Sequence, residues 1–125
     1  MNEPMRLLRE SQVLEIRPEA RSKFLAQVKA GILPAMVKVS TRMNAWPHYE
    51  IELSCRMDVA AARLPEKEFR LWADAAAADT EAKGLPVGAW YWRRVDHLVE
   101  LNSKQKKVKP TEYRQANPAM TGIIA

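Results

Sequence analysis

The sequence predicts a mostly α-helical protein with one small β-hairpin. Across most of the 125 residues, apolar side chains recur at the three- and four-residue spacing of amphipathic helices. Over residues 36–46 the period changes to two, which is typical of paired strands. Prolines and glycines, among them Pro18, Gly31, Pro34 and Pro65, mark where the segments begin and end.

Two helices are predicted before the hairpin. Residues 7–8 open a short element, and residues 10–14 form a helix too short to be stable without packing. The second helix, over residues 18–30, begins at a proline, carries Lys29 in its last turn and ends at Gly31. It has the clearest boundary signals in the chain.

The outward face of the second helix is short and basic. On a helical wheel Phe24 and the apolar residues around it face inward. The side chains that face outward are Ser22, Lys23, Ala26 and Lys29. Such a face fits a DNA major groove, which is about 12 Å wide.

The hairpin is predicted to pair residues 36–39 with residues 43–46. Its tip is polar and cationic, and we expect Lys38 and Arg42 to project outward. Because two short strands are only marginally stable alone, we expect Trp46 to hold the hairpin against the helices.

Behind the hairpin, a helix is predicted to start at Pro47 with two overlapping apolar rows. The rows are Ile51, Cys55, Val59 and Ala62, and Leu53, Met57, Ala60 and Leu64. A helix with so wide an apolar arc must be covered on two sides. We therefore expect it to lie between the first half of the chain and a helical extension.

The extension is predicted to contain helices over residues 66–82 and 87–103, and the periodicity ends at residue 104. Its aromatic cluster of Trp90, Tyr91 and Trp92 fits a core or an interface better than a stacking platform for single-stranded bases. These rings, with Phe69 and Trp72, present more aromatic surface than two short helices bury against one small domain. This surplus predicts a homodimer.

The charge and the cysteine content limit the binding partners and the cellular compartment that the sequence allows. The net charge is +5, with basic ends and an acidic middle, and a basic surface attracts either nucleic acid or an anionic membrane. No apolar run approaches the roughly 20 residues needed to cross a bilayer, and because the motifs described below favour nucleic acid over an anionic membrane surface, no membrane partner is expected. The single cysteine, Cys55, excludes an intramolecular disulfide and favours a cytoplasmic protein.

None of the common catalytic motifs occurs in the sequence. There is no glycine-rich phosphate loop, no GxSxG, no CxxC and no HExxH. The two histidines, His48 and His97, lie far apart without companions at metal-ligand spacing. We therefore expect a non-enzymatic protein without a metal or another cofactor.

Five short motifs follow one another over residues 5–51. These are Arg6-Leu7-Leu8-Arg9 with Gln12-Val13-Leu14, Arg21-Ser22, Lys29-Ala30-Gly31 with Leu33-Pro34, Val37-Lys38-Val39-Ser40 with Arg42, and Ala45-Trp46 with Glu50-Ile51. In their order and spacing, these motifs resemble the DNA-binding domain of the AlpA family of phage-type transcriptional regulators.

The resemblance implies a winged helix-turn-helix of the MerR and excisionase type. Residues 18–30 would then enter the major groove, and the hairpin would act as a wing on phosphates or the adjacent minor groove. The chain departs from the family in the turn, where Pro18, Glu19 and Ala20 replace the usual glycine, apolar residue and Ser or Thr. Ala20 has no side-chain oxygen to cap the helix.

Together these observations predict a sequence-specific, double-stranded-DNA-binding transcriptional regulator of phage or mobile-element type. Residues 1–64 would be the DNA-binding domain, residues 65–103 an extension that dimerises or completes the core, and residues 104–125 a basic, flexible tail. The predicted DNA-contacting residues are Arg17, Arg21, Ser22, Lys23, Ala26, Lys29, Lys38, Ser40, Thr41, Arg42 and Asn44.

Two alternatives stay open at this point. An excisionase that bends DNA beside an integrase site needs the same helix and wing. A protein-interaction adaptor would instead use the helical half, and would expose an apolar patch of more than a few hundred Å² there. The residues identify no small-molecule effector.

Overall fold

Residues 6–105 are described by a computed structural model, in which three short strands and five helices follow one another. The strands are β1 (Leu7–Leu8), β2 (Val37–Lys38) and β3 (Asn44–Pro47). The helices are α1 (Glu10–Ile16), α2 (Arg21–Lys29), α3 (His48–Arg63), α4 (Glu66–Ala82) and α5 (Ala89–Gln105). The predicted class, mostly helical with a small β element, is confirmed. From residue 106 onward the predicted tail lies outside the described residues.

The sheet has three antiparallel strands in the order β1-β3-β2. The predicted hairpin is present, with Val37 opposite Ala45 and Lys38 opposite Asn44. On its other edge β3 pairs with β1, where Leu8 lies opposite Trp46. Residues 7–8 therefore form the third strand, which joins the start of the described chain to the hairpin.

A first core lies between α1, α2 and the sheet. Its buried residues are Leu8, Val13, Phe24, Leu33, Trp46 and Ile51. The Trp46 ring meets the Phe24 ring edge-on at 5.3 Å between centroids, and its Nε1 donates a hydrogen bond to the Pro34 carbonyl oxygen at 3.1 Å. The prediction that Trp46 holds the hairpin against the helices is confirmed.

Helix α2 begins at Arg21, three residues later than predicted. Ala20 precedes it in an extended conformation and makes no side-chain capping bond. The reason lies in the Glu19 carboxylate, which accepts hydrogen bonds from Arg17 Nε at 2.9 Å and from Gln27 Nε2 at 2.8 Å. These bonds hold residues 17–20 as a turn between α1 and α2.

A second core lies between α3, α4 and α5. Its buried residues are Leu53, Met57, Ala60, Ala61, Phe69, Ala73, Ala77, Trp90, Tyr91, Val95 and Leu98. Since Ile51 of the same α3 helix lies in the first core, α3 is covered on two sides, as predicted.

One of the two apolar rows predicted on α3 is wrong at its C-terminal end. Val59 is 48% exposed and Ala62 is also exposed, whereas Ser54 is fully buried. Burial of Ser54 is possible because its hydroxyl donates to the Ile51 carbonyl oxygen at 2.6 Å and accepts from Arg17 Nη1 at 3.1 Å. The periodicity of apolar residues cannot reveal such a polar pair.

Helix α4 has the predicted bounds, and α5 begins and ends two residues later than predicted. Trp90 and Tyr91 are buried, as expected for core residues, and the Tyr91 hydroxyl donates to the Ala73 carbonyl oxygen at 2.7 Å. Burial raises the pKa of Tyr91 to about 12. Trp92 is 43% exposed. Most of the aromatic surface on which the expectation of a dimer depended is therefore used inside one chain.

None of the helices in residues 6–105 has the length and apolar character that a bilayer crossing requires.

Candidate nucleic-acid interface

The outward face of α2 carries the side chains predicted there. Arg21, Ser22, Lys23, Ala26 and Lys29 are all exposed, while Phe24 is buried beneath them. The small side chains of Ser22 and Ala26 lie near the middle of this face. They allow the helix backbone to approach a groove closely.

The hairpin is exposed at its tip and along β2, whereas Ala45 and Trp46 of β3 are buried. Lys38, Ser40, Thr41, Arg42 and Asn44 all lie on its surface. Its tip is closed by backbone hydrogen bonds, from Val39 N to Met43 O at 2.9 Å and from Met43 N to Ser40 O at 3.3 Å. The exposed polar and cationic side chains therefore project from an ordered turn.

The stretch of chain that contains α2 and the hairpin has no acidic residues of its own. From Ala20 to Tyr49 the chain contains no Asp or Glu, but it contains Arg21, Lys23, Lys29, Lys38 and Arg42. Arg21 forms an ion pair with Glu10 of α1. Within residues 6–105, the other four cations have no acidic side chain at ion-pair distance. We call these five side chains, with Ser22, Ala26, Ser40, Thr41 and Asn44, the basic face.

The two parts of the basic face are held in one fixed relation. The segment that joins them contains Leu33 and Pro34, both buried. Trp46 of β3 contacts Phe24 of α2 and donates to the Pro34 carbonyl oxygen. These contacts connect α2 and the hairpin through the first core.

Arg17 does not belong to this surface, although it was among the predicted DNA-contacting residues. Its side chain is 7% exposed and forms ion pairs with Glu19 and Asp58, each at 2.9 Å. Burial acts to lower the pKa of Arg17, but the carboxylates of Asp58 and Glu19 outweigh it and raise the pKa. Arg17 therefore stabilises the turn before α2 from the interior.

Arg94 of α5 binds Asp58, the carboxylate that also pairs with Arg17. Its Nε and Nη2 each donate to an Asp58 carboxylate oxygen at 2.9 Å. Its Nη1 donates to Gln27 Oε1 at 3.2 Å and to the Ile32 carbonyl oxygen at 2.9 Å. Burial lowers the pKa of Arg94, and the neighbouring Arg17 adds to this effect. The sequence analysis identified neither Arg94 nor Asp58.

These contacts close a ring. Its members, in order, are Arg17, Glu19, Gln27, Arg94 and Asp58. The ring contains two cations and two carboxylates, so its charges balance. It joins the turn before α2, the inner side of α2, and helices α3 and α5. We call it the buried ion ring.

An open depression of about 260 Å³ lies beside the buried ion ring. It is lined by Ile16, Arg17, Pro18, Glu19, Cys55 and Asp58. Its charged side chains pair with one another. Residues 6–105 contain no group of three or more His, Cys, Asp or Glu side chains with the proximity that metal binding needs.

Comparison of the chain with protein-family models, curated proteins and solved structures finds no match. The resemblance of residues 5–51 to the AlpA family therefore stays an interpretation of the sequence.

Proposed function

We propose that the protein is a sequence-specific, double-stranded-DNA-binding transcriptional regulator of phage or mobile-element type. In this proposal α1, the turn at residues 17–20 and α2 form a helix-turn-helix, with α2 as the recognition helix. The hairpin of β2 and β3 is its wing. The order of these elements agrees with the winged helix-turn-helix that the sequence resemblance implies.

One observation carries the proposal: α2 and the hairpin expose five cations, four of them without an acidic partner among residues 6–105, and Trp46 packs the two elements on one core. DNA carries one negative charge per about 1.7 Å of its axis, so cations that lack acidic partners are free to bind phosphates and release counterions. A helix with its side chains is about 10–12 Å across, and the outward face of α2 includes the small residues Ser22 and Ala26. It fits a major groove about 12 Å wide.

The proposal predicts duplex binding with a steep dependence on salt. If Lys23, Lys38 and Arg42 each bind one phosphate, the logarithm of the affinity should fall with the logarithm of salt with a slope of at least about 2.7 in magnitude. Titration of the full chain with a random duplex between about 50 and 200 mM salt measures this slope. Selection from random duplexes should then yield a sequence bound roughly 10³-fold more tightly.

A chain that binds no duplex, or that binds every selected and random duplex equally, would contradict the proposal. Equal binding with the expected salt slope would restrict the function to non-specific DNA coating. Loss of all duplex binding would favour the protein-interaction adaptor.

We also propose that two copies bind one two-fold site. A single small winged module covers only about 600–1,000 Å² of DNA, so regulators of this kind commonly gain affinity by pairing. Sedimentation at micromolar concentration, with and without the selected duplex, tests this part of the proposal. A chain that keeps the 14.3 kDa mass of a monomer and binds a single non-palindromic site would contradict it.

A further inference from the structure

The end of α2 is crossed by a side chain from the helical extension. Gly31 follows α2 with a φ of +80°, a conformation that favours glycine. A Cβ atom at this position would lie 3.0 Å from Nη1 and 3.6 Å from Cδ of Arg93. The stem and guanidinium of Arg93 therefore lie directly against residue 31.

The position of Arg93 is fixed by its neighbour in α5. The buried Arg94 donates to Gln27, which precedes Gly31, and to Ile32, which follows it. Helix α5 is thus bonded to the chain on both sides of residue 31. This brings Arg93 to the C-terminal end of α2, two residues beyond the exposed Lys29.

The charge of Arg93 has no partner among the described residues. Its side chain is exposed, and no acidic side chain of residues 6–105 lies within ion-pair distance of it. A cation at a helix C-terminus is favourable through the helix dipole, so its location alone has a structural explanation. The helix dipole does not account for the hydrogen-bond donors of the guanidinium. Their planar arrangement matches the geometry of a phosphate.

We propose that Arg93 binds a phosphate of the DNA backbone at the C-terminal end of α2, beside Lys29. The helical extension is then part of the DNA-binding surface, whereas the sequence analysis assigned it only to dimerisation or to the core. This inference rests on the proposed function. It adds a phosphate contact that belongs neither to the recognition helix nor to the wing.

Arg93→Met tests the contact because methionine keeps an apolar stem against Gly31 and removes the charge. Arg63→Met is the matched control, since Arg63 is an exposed arginine at the end of α3. Residue 63 lies near Ala61, whose carbonyl oxygen accepts a hydrogen bond from Asn102 at the other end of α5. Nine residues of helix, about 13 Å, separate Asn102 from Arg93.

We expect Arg93→Met to weaken binding roughly tenfold for the selected and the random duplex alike, and to lower the magnitude of the salt slope by about 0.9. Arg63→Met should change neither quantity, and the two variants should melt at similar temperatures, because each removes a cation from a helix C-terminus. Arg93→Lys should retain most of the salt slope, because it keeps the charge.

Equal behaviour of Arg93→Met and Arg63→Met, while Lys38→Ala still lowers the slope, would overturn the role of Arg93 and leave the proposed function intact. A changed melting temperature with an unchanged slope would assign Arg93 to packing alone, which also overturns the inference. If the full chain shows no salt-dependent duplex binding, the proposed function fails and this inference fails with it.

Discussion

Arg94 of α5 holds Asp58 of α3 through two parallel hydrogen bonds of 2.9 Å. The same carboxylate also pairs with Arg17, whose second acidic partner is Glu19. Through Arg94 and its bond to Gln27, the helical extension is linked to the inner side of α2. The extension thus helps to position α2, the proposed recognition helix.

Loss of this carboxylate should destabilise the protein strongly. Asp58→Asn leaves Arg17 and Arg94 buried with too little negative charge, and removing one partner of a buried pair costs about 3–5 kcal/mol. Because Asp58 is 32% exposed, we expect about 2–3 kcal/mol in urea unfolding. Asp96→Asn, which breaks an exposed pair with Arg70, is the control and should cost under about 0.5 kcal/mol. Equal effects of the two changes would contradict a structural role for the ring.

The sequence was sufficient to predict elements whose boundaries have local causes. Helix α4 has the predicted bounds because Pro65 and Glu66 suit a helix start and Gly84 suits a helix end. The hairpin was predictable in the same way, because the apolar period changes to two over residues 36–46. Strand β1 could not be recognised as a strand, because it has two residues and exists only through pairing with β3.

The error at Arg17 has a different physical origin. A charged residue in a turn is usually exposed, and only a distant partner makes its burial possible. That partner is Asp58, on a helix whose periodicity gives no indication of an ion pair. The exposed face of α2 was predictable since it depends on helical spacing alone.

Lys29 and Ser22 should contribute to sequence discrimination. Both are exposed on the outward face of α2, where base contacts discriminate by about 1–3 kcal/mol. We expect Lys29→Ala and Ser22→Ala to weaken binding to the selected duplex more than to a random one. Lys67→Ala and Ser103→Ala, at exposed positions of α4 and α5, are matched controls. Equal losses on both duplexes would remove the two residues from base recognition.

The hairpin should contribute affinity without discrimination. Lys38→Ala and Arg42→Ala are each expected to weaken binding to all duplexes alike and to lower the magnitude of the salt slope by about 0.9. Competition titrations at several salt concentrations measure both effects, with Lys67→Ala as the reference. If the slope stays unchanged in both hairpin variants, the hairpin has no role in DNA binding.

Glu50 makes the stability depend on pH in the acidic range. Burial raises its pKa, and the hydrogen bond from Trp90 Nε1, at 3.2 Å, opposes this only in part. The folded state therefore favours the protonated form. Protonated Glu50 stabilises the folded state fully below about pH 4.3, the usual pKa of Glu. This stabilisation is lost as the pH rises through the pKa of Glu50 in the folded state.

Glu50→Gln should consequently be more stable than the unmodified chain at pH 7. Its amide oxygen still accepts the bond from Trp90, and the cost of burying a charge disappears. We expect a rise in Tm on the order of 1 °C at pH 7 and no difference near pH 4. Glu52→Gln on the exposed side of the same helix is the control and should show no such pH dependence. A gain that persists at pH 4 would point to a cause other than the charge.

Truncation after residue 64 should abolish independent folding of the first half. Leu53, Met57, Ala60 and Ala61 of α3 would lose their core partners on α4 and α5, and Asp58 and Arg17 would lose Arg94 from the ring. We expect residues 1–64 to lack a cooperative melting transition by circular dichroism and to bind duplex DNA only weakly. Residues 1–105 form the control, because they retain every described contact and should melt as the full chain does. A fragment of residues 1–64 that melts cooperatively and keeps full affinity would show that the DNA-binding unit needs neither the second core nor Arg94.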